Sequence, residues 1–226
     1  MKKFAIYIPY VSSLETLSTA LGSVKSLAKF VTIIDNSDSE DPALYELGIN
    51  VFRPPVPLGF SQTQNLMREM AFANYLDFYL FMHSDAESQE NSAEKLVQLA
   101  SDSPMDWGVI YTNYDALCAL NCSAVRKVGA WDWRGLDWYF ADCDYYRRIE
   151  LAGFQIIRSG LPVAHRPSRT ISSDSHLQHV IELKNRIAHI YYIFKWGGAP
   201  GQESFTIPFD GKSIEALKKM LPPGLF

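Results

Sequence analysis

Phe78-Tyr79-Leu80-Phe81-Met82 is an unbroken apolar run that stops abruptly at His83-Ser84-Asp85-Ala86-Glu87. A run of that length with no polar alternation predicts a strand covered on both faces, the habit of a parallel sheet flanked by helices. In an open sheet of that kind, ligands bind in the crevice beyond the carboxyl ends of the strands. Asp85 therefore stands where a carboxylate faces substrate or metal. The same residue would serve equally as the cap of a following helix.

The rest of the chain repeats the pattern. Phe4 to Ile8 predicts a first strand, closed by Pro9. Ser12-x-x-Glu15 matches a capping box, and Leu14, Leu17, Leu21, Val24 and Leu27 follow at helical steps. Phe30 to Ile34 is a β-branched second strand ending in Asp35-Asn36-Ser37, and Ile49 to Phe52 is a weaker third. Strand, helix, strand implies parallel pairing. Three prolines between Pro54 and Pro57 make a loop, since proline cannot join a ladder. Ser61 then caps a helix carrying Leu66, Met67, Met70 and Ala73.

Beyond the central strand, a helix around Glu94 to Ala100 precedes a hairpin of Trp107 to Tyr111 and Ala116 to Leu120, so the sheet turns mixed in its second half. Cys118 and Cys122 fall on one face of that last strand. A helix from about Asp142 ends at the glycine cap Gly153. Short strands over Phe154 to Ile157 and Pro162 to Ala164 lead to His165. A long helix runs from Ser175 to Trp196, and Ile214 to Met220 predicts a short terminal one. The fold class is α/β, a mixed sheet with a parallel N-terminal half and helices on both faces.

Composition narrows the function. A formal charge of −4 supplies no basic field for a nucleic-acid backbone. Three cysteines without CxxC spacing make neither a disulfide framework nor a zinc site and fit a cytoplasmic, soluble protein. No stretch is apolar for long enough to span a bilayer. Aromatics gather between Trp107 and Tyr146, where they serve either a core or a sugar-stacking surface.

The polar strand ends, in order, are Asp35-Asn36-Ser37, His83-Ser84-Asp85, Asp142-Cys143-Asp144 and His165. With Gly59-Phe60-Ser61-Gln62-Thr63-Gln64-Asn65, and with Ala141 to Gly153 standing for a Glu-Asp-x-Asp helix that runs to Arg and Gly, this succession resembles the GT-A glycosyltransferases of family 2. The resemblance covers residues 4–166 and implies one GT-A (Rossmann-like) domain over residues 1–226. Its nucleotide-binding half would span about 1–87, its acceptor half about 88–170, and a helical cover 171–226. It implies inverting transfer of a sugar from a nucleotide-diphosphate donor to a glycan or glycoconjugate acceptor.

Physical logic runs beside the resemblance. A nucleoside diphosphate leaves only if its developing charge is neutralised, and a divalent ion on oxygen ligands does that. Asp85 is the first candidate ligand. By the resemblance His165 completes the site, and an imidazole there favours Mn2+ over Mg2+. Asp142 holds the family's base position, with Asp144 as the fallback. An N-cap aspartate is the plainer explanation of Asp142, and the helix field lowers its basicity. Pro9, Tyr10, Asp35, Asn65, His83 and Ser84 are expected on the nucleotide, Tyr10 by stacking and Asp35 by accepting from base or ribose. Trp131, Trp133, Asp137, Trp138 and Asp144 are expected on the acceptor side.

Departures from the family pattern carry information. His83 replaces the first acid of Asp-x-Asp, and Ala141 replaces the glutamate before the base. These two keep open a degenerate module that binds carbohydrate or nucleotide without turnover. A sugar-phosphate nucleotidyltransferase would need a glycine-rich opening loop, which Tyr7 to Ser13 lacks. Arg169, His176 and His179 would suit a lid over a diphosphate.

Overall fold

The structure, a computed structural model, describes residues 2–104, 106–165 and 175–210, without the side chains of residues 175–178. The predicted terminal helix over Ile214 to Met220, and Arg169 and His176 of the suggested lid, lie outside that description.

Seven strands form the main sheet in the order β3-β2-β1-β4-β7-β6-β8. These are β1 (Phe4–Tyr10), β2 (Val31–Asp35), β3 (Asn50–Phe52), β4 (Phe78–Met82), β6 (Trp107–Tyr111), β7 (Leu117–Asn121) and β8 (Gln155–Arg158). Strands β1 to β4 are parallel, β7 runs antiparallel between β4 and β6, and β8 is parallel to β6. The carboxyl ends of β1, β2, β4, β6 and β8 therefore share one rim. A small second ladder pairs β5 (Ala86–Ser88) with β9 (Val163–His165), Ala86 opposite His165. It is the element that the polar appearance of residues 83–87 concealed.

Alternation along β4 divides the core. Phe78, Leu80 and Met82 face α1 (Leu14–Ser23) and α4 (Ser92–Asp102) through Leu17, Ala20, Ala93 and Leu96. Tyr79 and Phe81 face the opposite layer of α3 (Phe60–Ala73), α5 (Cys122–Val128), α6 (Ala141–Leu151) and α7 (Ser175–Trp196). Every residue of β4 is buried, as a strand sandwiched between helical layers must be. A short α2 (Pro42–Glu46) fills the β2–β3 connection, where only a turn was expected. No described helix is long and apolar enough to cross a membrane.

Several local expectations are corrected. The cap of α1 is Ser13 rather than Ser12: its Oγ accepts from the Thr16 amide, and Ser13 takes the left-handed conformation, φ 71°. Leu27 lies in a 3₁₀ segment, Lys25–Phe30, beyond the end of α1. Ser61 does not cap α3; it lies in the first turn and donates to the Leu136 carbonyl at 2.5 Å. The helix starts after Gly59, whose amide is taken by Gln62 Oε1 at 2.9 Å. Cys122 shares no strand face with Cys118, because it opens α5, capped by Asn121. Periodicity misses a helix of seven residues this close to a strand.

Leu80 lies at the centre of β4, fully buried between β1 and β7. Leu80→Ala is expected to lower the unfolding free energy by about 3 kcal/mol, read as a lower urea midpoint at unchanged slope.

Candidate active site

The rim of the sheet collects the polar strand ends. After β4 the chain turns through His83, Ser84 and Asp85, closed by the Ala86 amide donating to the His83 carbonyl at 3.1 Å. Pairing of β5 with β9 then sets His165 beside this turn, with Nε2 3.2 Å from Asp85 Oδ1. His83 Nδ1 stands 3.9 Å from the same oxygen, and one ligand atom from each of the three residues lies within 4.8 Å of the others. The sequence places His83 on the nucleotide; the structure adds it to the candidate metal set.

The electrostatics suit a cation. Although part of its side chain faces the cleft, the His83 ring packs among Phe60, Phe81 and His165. Burial, and then the charge of His165, push its pKa down to about 4 against the pull of Asp85. It is neutral at physiological pH, and its lone pair is free for a ligand bond. Burial raises the Asp85 carboxyl, but the hydrogen bond and charge of His165 outweigh it, so its pKa is lowered. Two imidazoles and a carboxylate fit a divalent ion. This nitrogen-rich set disfavours Mg2+, which keeps oxygen ligands and water, and accepts the first-row divalent ions as a class, Mn2+ included. A groove lined by Glu15, Thr16, Thr19, Glu87 and Ala164 opens beside Asp85.

A second acidic feature adjoins the first. Asp115, in the turn between β6 and β7, hydrogen-bonds Asp142 in the first turn of α6. Two carboxyl groups can share a hydrogen bond only if one holds a proton. Burial, the charge of Asp142 and that hydrogen bond push the Asp115 pKa up to about 6, against a lowering contribution from His165. Asp115 is the residue that sequence reading missed. The signal was there, since it too is a carboxylate beyond the carboxyl end of a strand, but it sat in a segment read only as a hairpin turn.

Other predicted residues have different neighbours from those expected. Tyr10 is buried in the core, so its ring is not open for stacking. Pro9 is half-buried within β1 opposite Ile34, and Ser84 is half-buried in the turn after β4. Asp35 has its side chain fully buried; Oδ1 accepts from the Ser37 amide at 3.0 Å and Oδ2 pairs with Arg53. Asn65 is committed to Trp131: its amide group donates to the Trp131 carbonyl at 3.1 Å and its oxygen accepts from the Trp131 amide at 2.8 Å. Trp131 itself is buried, stacked on Tyr145 at 4.1 Å. Asp144, 1% exposed, is paired with Arg148 and Lys195 and does not reach an acceptor.

Trp133 and Trp138 do stand open, 44% and 45% exposed, with Arg134 and Lys184 over their rings. Asp137 between them accepts from the Ser61 amide at 3.2 Å through its backbone carbonyl and so ties the start of α3 to a distant loop. Gly59 leaves room for the Asp137 carboxylate, which a Cβ there would strike.

No family model matches the chain, and no curated protein matches it in sequence. Solved structures do match in shape. The mannosyltransferase PcManGT of Pyrobaculum calidifontis, in complex with GDP-Man and Mn2+, superposes with TM-score 0.62 at 13% identity, covering 88% of this chain and 66% of its own. Glucosyl-3-phosphoglycerate synthase of Mycobacterium tuberculosis, with Mn2+ and UDP-glucose, gives 0.56 at 13% identity, covering 80% and 77%. GalNAc-T7, with UDP, GalNAc and Mn2+, gives 0.57 at 13% identity, covering 85% and 49%. The chain thus spans about half the length of GalNAc-T7 and about two thirds of PcManGT. The fold is GT-A, the architecture of nucleotide-sugar glycosyltransferases.

Two measurements test the site. Mn2+ at about a hundredfold over its dissociation constant stabilises a one-site protein by about 2.7 kcal/mol. The melting temperature should rise with Mn2+ in the wild type and stay fixed in Asp85→Ala and His165→Ala. Asp115 has a raised pKa in the folded state, so its contribution is complete below about pH 4 and is lost as pH rises through about 6. Denaturant melts of wild type and Asp115→Asn should differ in pH dependence across that window, the variant lacking this loss.

Proposed function

We propose that the chain is an inverting, Mn2+-dependent glycosyltransferase that moves a sugar from a nucleoside-diphosphate donor to a hydroxyl of a glycan or glycoconjugate acceptor. One observation carries the reading: on a GT-A sheet, the His83, Asp85 and His165 cluster and the Asp115–Asp142 pair lie together beyond the carboxyl ends of the strands. Three structural neighbours hold Mn2+ with UDP, GDP-Man or UDP-glucose, which supports a nucleotide-sugar donor. Residues 1–87 form the donor side of one domain and residues 88–170 the acceptor side.

His83, Asp85 and His165 would hold the ion, which when bound neutralises charge on the departing diphosphate. Asp35 is buried, its carboxylate taken by Arg53 and Ser37, and so supports the chain after β2 from within, and Ser84 lies between two of the ion's ligands. The acceptor oxygen attacks the anomeric carbon as the bond from that carbon to the phosphate oxygen breaks. Electrons of that bond leave with the nucleoside diphosphate, and the hydroxyl proton passes to the Asp142 carboxylate. Asp115 lies beside Asp142 and holds the proton of the pair only below about pH 6. A single displacement from the opposite face inverts the anomeric centre and needs one base and no protein nucleophile. Trp133 and Trp138 offer the open aromatic faces on which an acceptor sugar stacks.

Asp142→Asn removes the base while keeping size and hydrogen-bonding capacity. Its kcat for transfer should fall by about 10² to 10⁴, with the Mn2+-dependent thermal shift from UDP or GDP unchanged. Wild-type turnover in the variant would assign the base elsewhere. A wild type that binds a nucleoside diphosphate with Mn2+ but never releases it from a nucleotide sugar would be a binding module.

A further inference from the structure

Beneath the acceptor side lies a charge cluster that the transfer chemistry does not use. Lys195, in the last turn of α7, is 5% exposed, and its Nζ stands 2.6 Å from Asp132 Oδ2 and 2.7 Å from Asp144 Oδ1. Asp132 also accepts from the Tyr191 hydroxyl at 2.9 Å and from the Gly135 amide at 3.3 Å. Asp144 accepts from Trp196 Nε1 at 2.9 Å and from Arg148 Nε at 3.0 Å. Burial raises the Asp132 carboxyl, but its bonds to Lys195 and Tyr191 outweigh that and lower its pKa, so the acid is ionised.

Each carboxylate belongs to a different part of the proposed site. Asp132 sets the turn that presents Trp133, through the Gly135 amide and through its own carbonyl, which accepts from Leu136 at 2.9 Å. Gly135 admits the Tyr191 ring, which passes 2.0 Å from where a Cβ would stand. Asp144 shares the first turn of α6 with Asp142. Burying an ammonium between two carboxylates contributes little net stability, since apolar residues of equal volume do as well or better. An ion cluster does fix relative position, because loss of its central charge leaves two buried acids repelling each other.

We propose that Lys195 is a positioning residue that locks the Trp131–Leu136 turn to the first turn of α6, and so holds an acceptor hydroxyl in line with Asp142. The proposal rests on the reading of Asp142 as base. It assigns Tyr191, Lys195 and Trp196 of α7 a part in transfer, although none of them touches the reacting atoms.

Two variants test it: Lys195→Met, and Asp132→Ala, which leaves Lys195 paired with Asp144 and so keeps the fold neutral to the change. Hydrogen exchange should quicken by about tenfold or more at the amides of residues 132–136 and 141–144, while β1, β2 and β4 keep their protection. With UDP-glucose or GDP-mannose as donor and methyl glycosides as acceptors, kcat for transfer should fall by about 10²-fold. The donor KM and the Mn2+-dependent thermal shift should stay at wild-type values, and donor hydrolysis should rise relative to transfer. Lys195→Arg should recover part of the loss. Unchanged exchange in Asp132→Ala, or transfer within about twofold of wild type, would overturn the proposal. Variants that exchange as described, beside a wild type that transfers nothing, would instead refute the glycosyltransferase reading and leave the Lys195 clamp standing.

Discussion

Three backbone pairs between β5 and β9 determine whether this protein has a site at all. Asp85 and His165 belong to distant parts of the chain, and no helix or loop joins them directly. Ala86 lies opposite His165 in the ladder, so the residue before the first and the end of the second are forced side by side. The hydrogen bonds of so short a ladder are individually weak, about 1 kcal/mol each. Support comes from below: Ala86 and Val163 are buried in the core layer that contains α1 and α4, and the Ser88 amide donates to Ser23 Oγ at 3.0 Å. The geometry of the His83, Asp85 and His165 cluster is therefore a by-product of packing helices against one face of the sheet.

The long strands and helices were legible in the sequence because they follow from periodicity, a property of single segments, whereas the short α2, α5 and β5 are too brief to show it. Phe78 to Met82 reads as a doubly covered strand and is one, and the helix from Ser175 to Trp196 has the bounds its apolar spacing implies. What the sequence withheld are pairings between segments. Nothing in Asn65 announces that its amide brackets the backbone of Trp131, nor in Asp144 that Lys195 and Trp196 neutralise and bind it. An aspartate in a helix's first turn looks alike whether it meets a sugar hydroxyl or a buried lysine. His83 illustrates the converse: a residue that departs from the family pattern joins the ligand cluster because its ring turns toward Asp85.

Buried charge recurs on both sides of the cleft. Asp35 with Arg53 and Asp132 with Lys195 each place an acid deep in the structure beside a cation. Such pairs are poor sources of stability, because desolvating both ions costs about as much as their attraction returns. They are good sources of orientation, since a side chain held from several directions has a single rotamer open to it. Asp35 holds such a place at the carboxyl end of β2, and Asp132 in the turn that carries Trp133.

Asp137 ties the same rim to α3. Its backbone carbonyl accepts from the Ser61 amide at 3.2 Å, and its carboxylate fills the space that Gly59, having no side chain, leaves open. Were the tryptophan-bearing segment to swing outward, it would strip the Ser61 amide of its acceptor and loosen the start of α3, whose Phe60 leans on the His83 ring. The position of Trp133 and Trp138 and the setting of the His83 ring are thus tied through a single helix end.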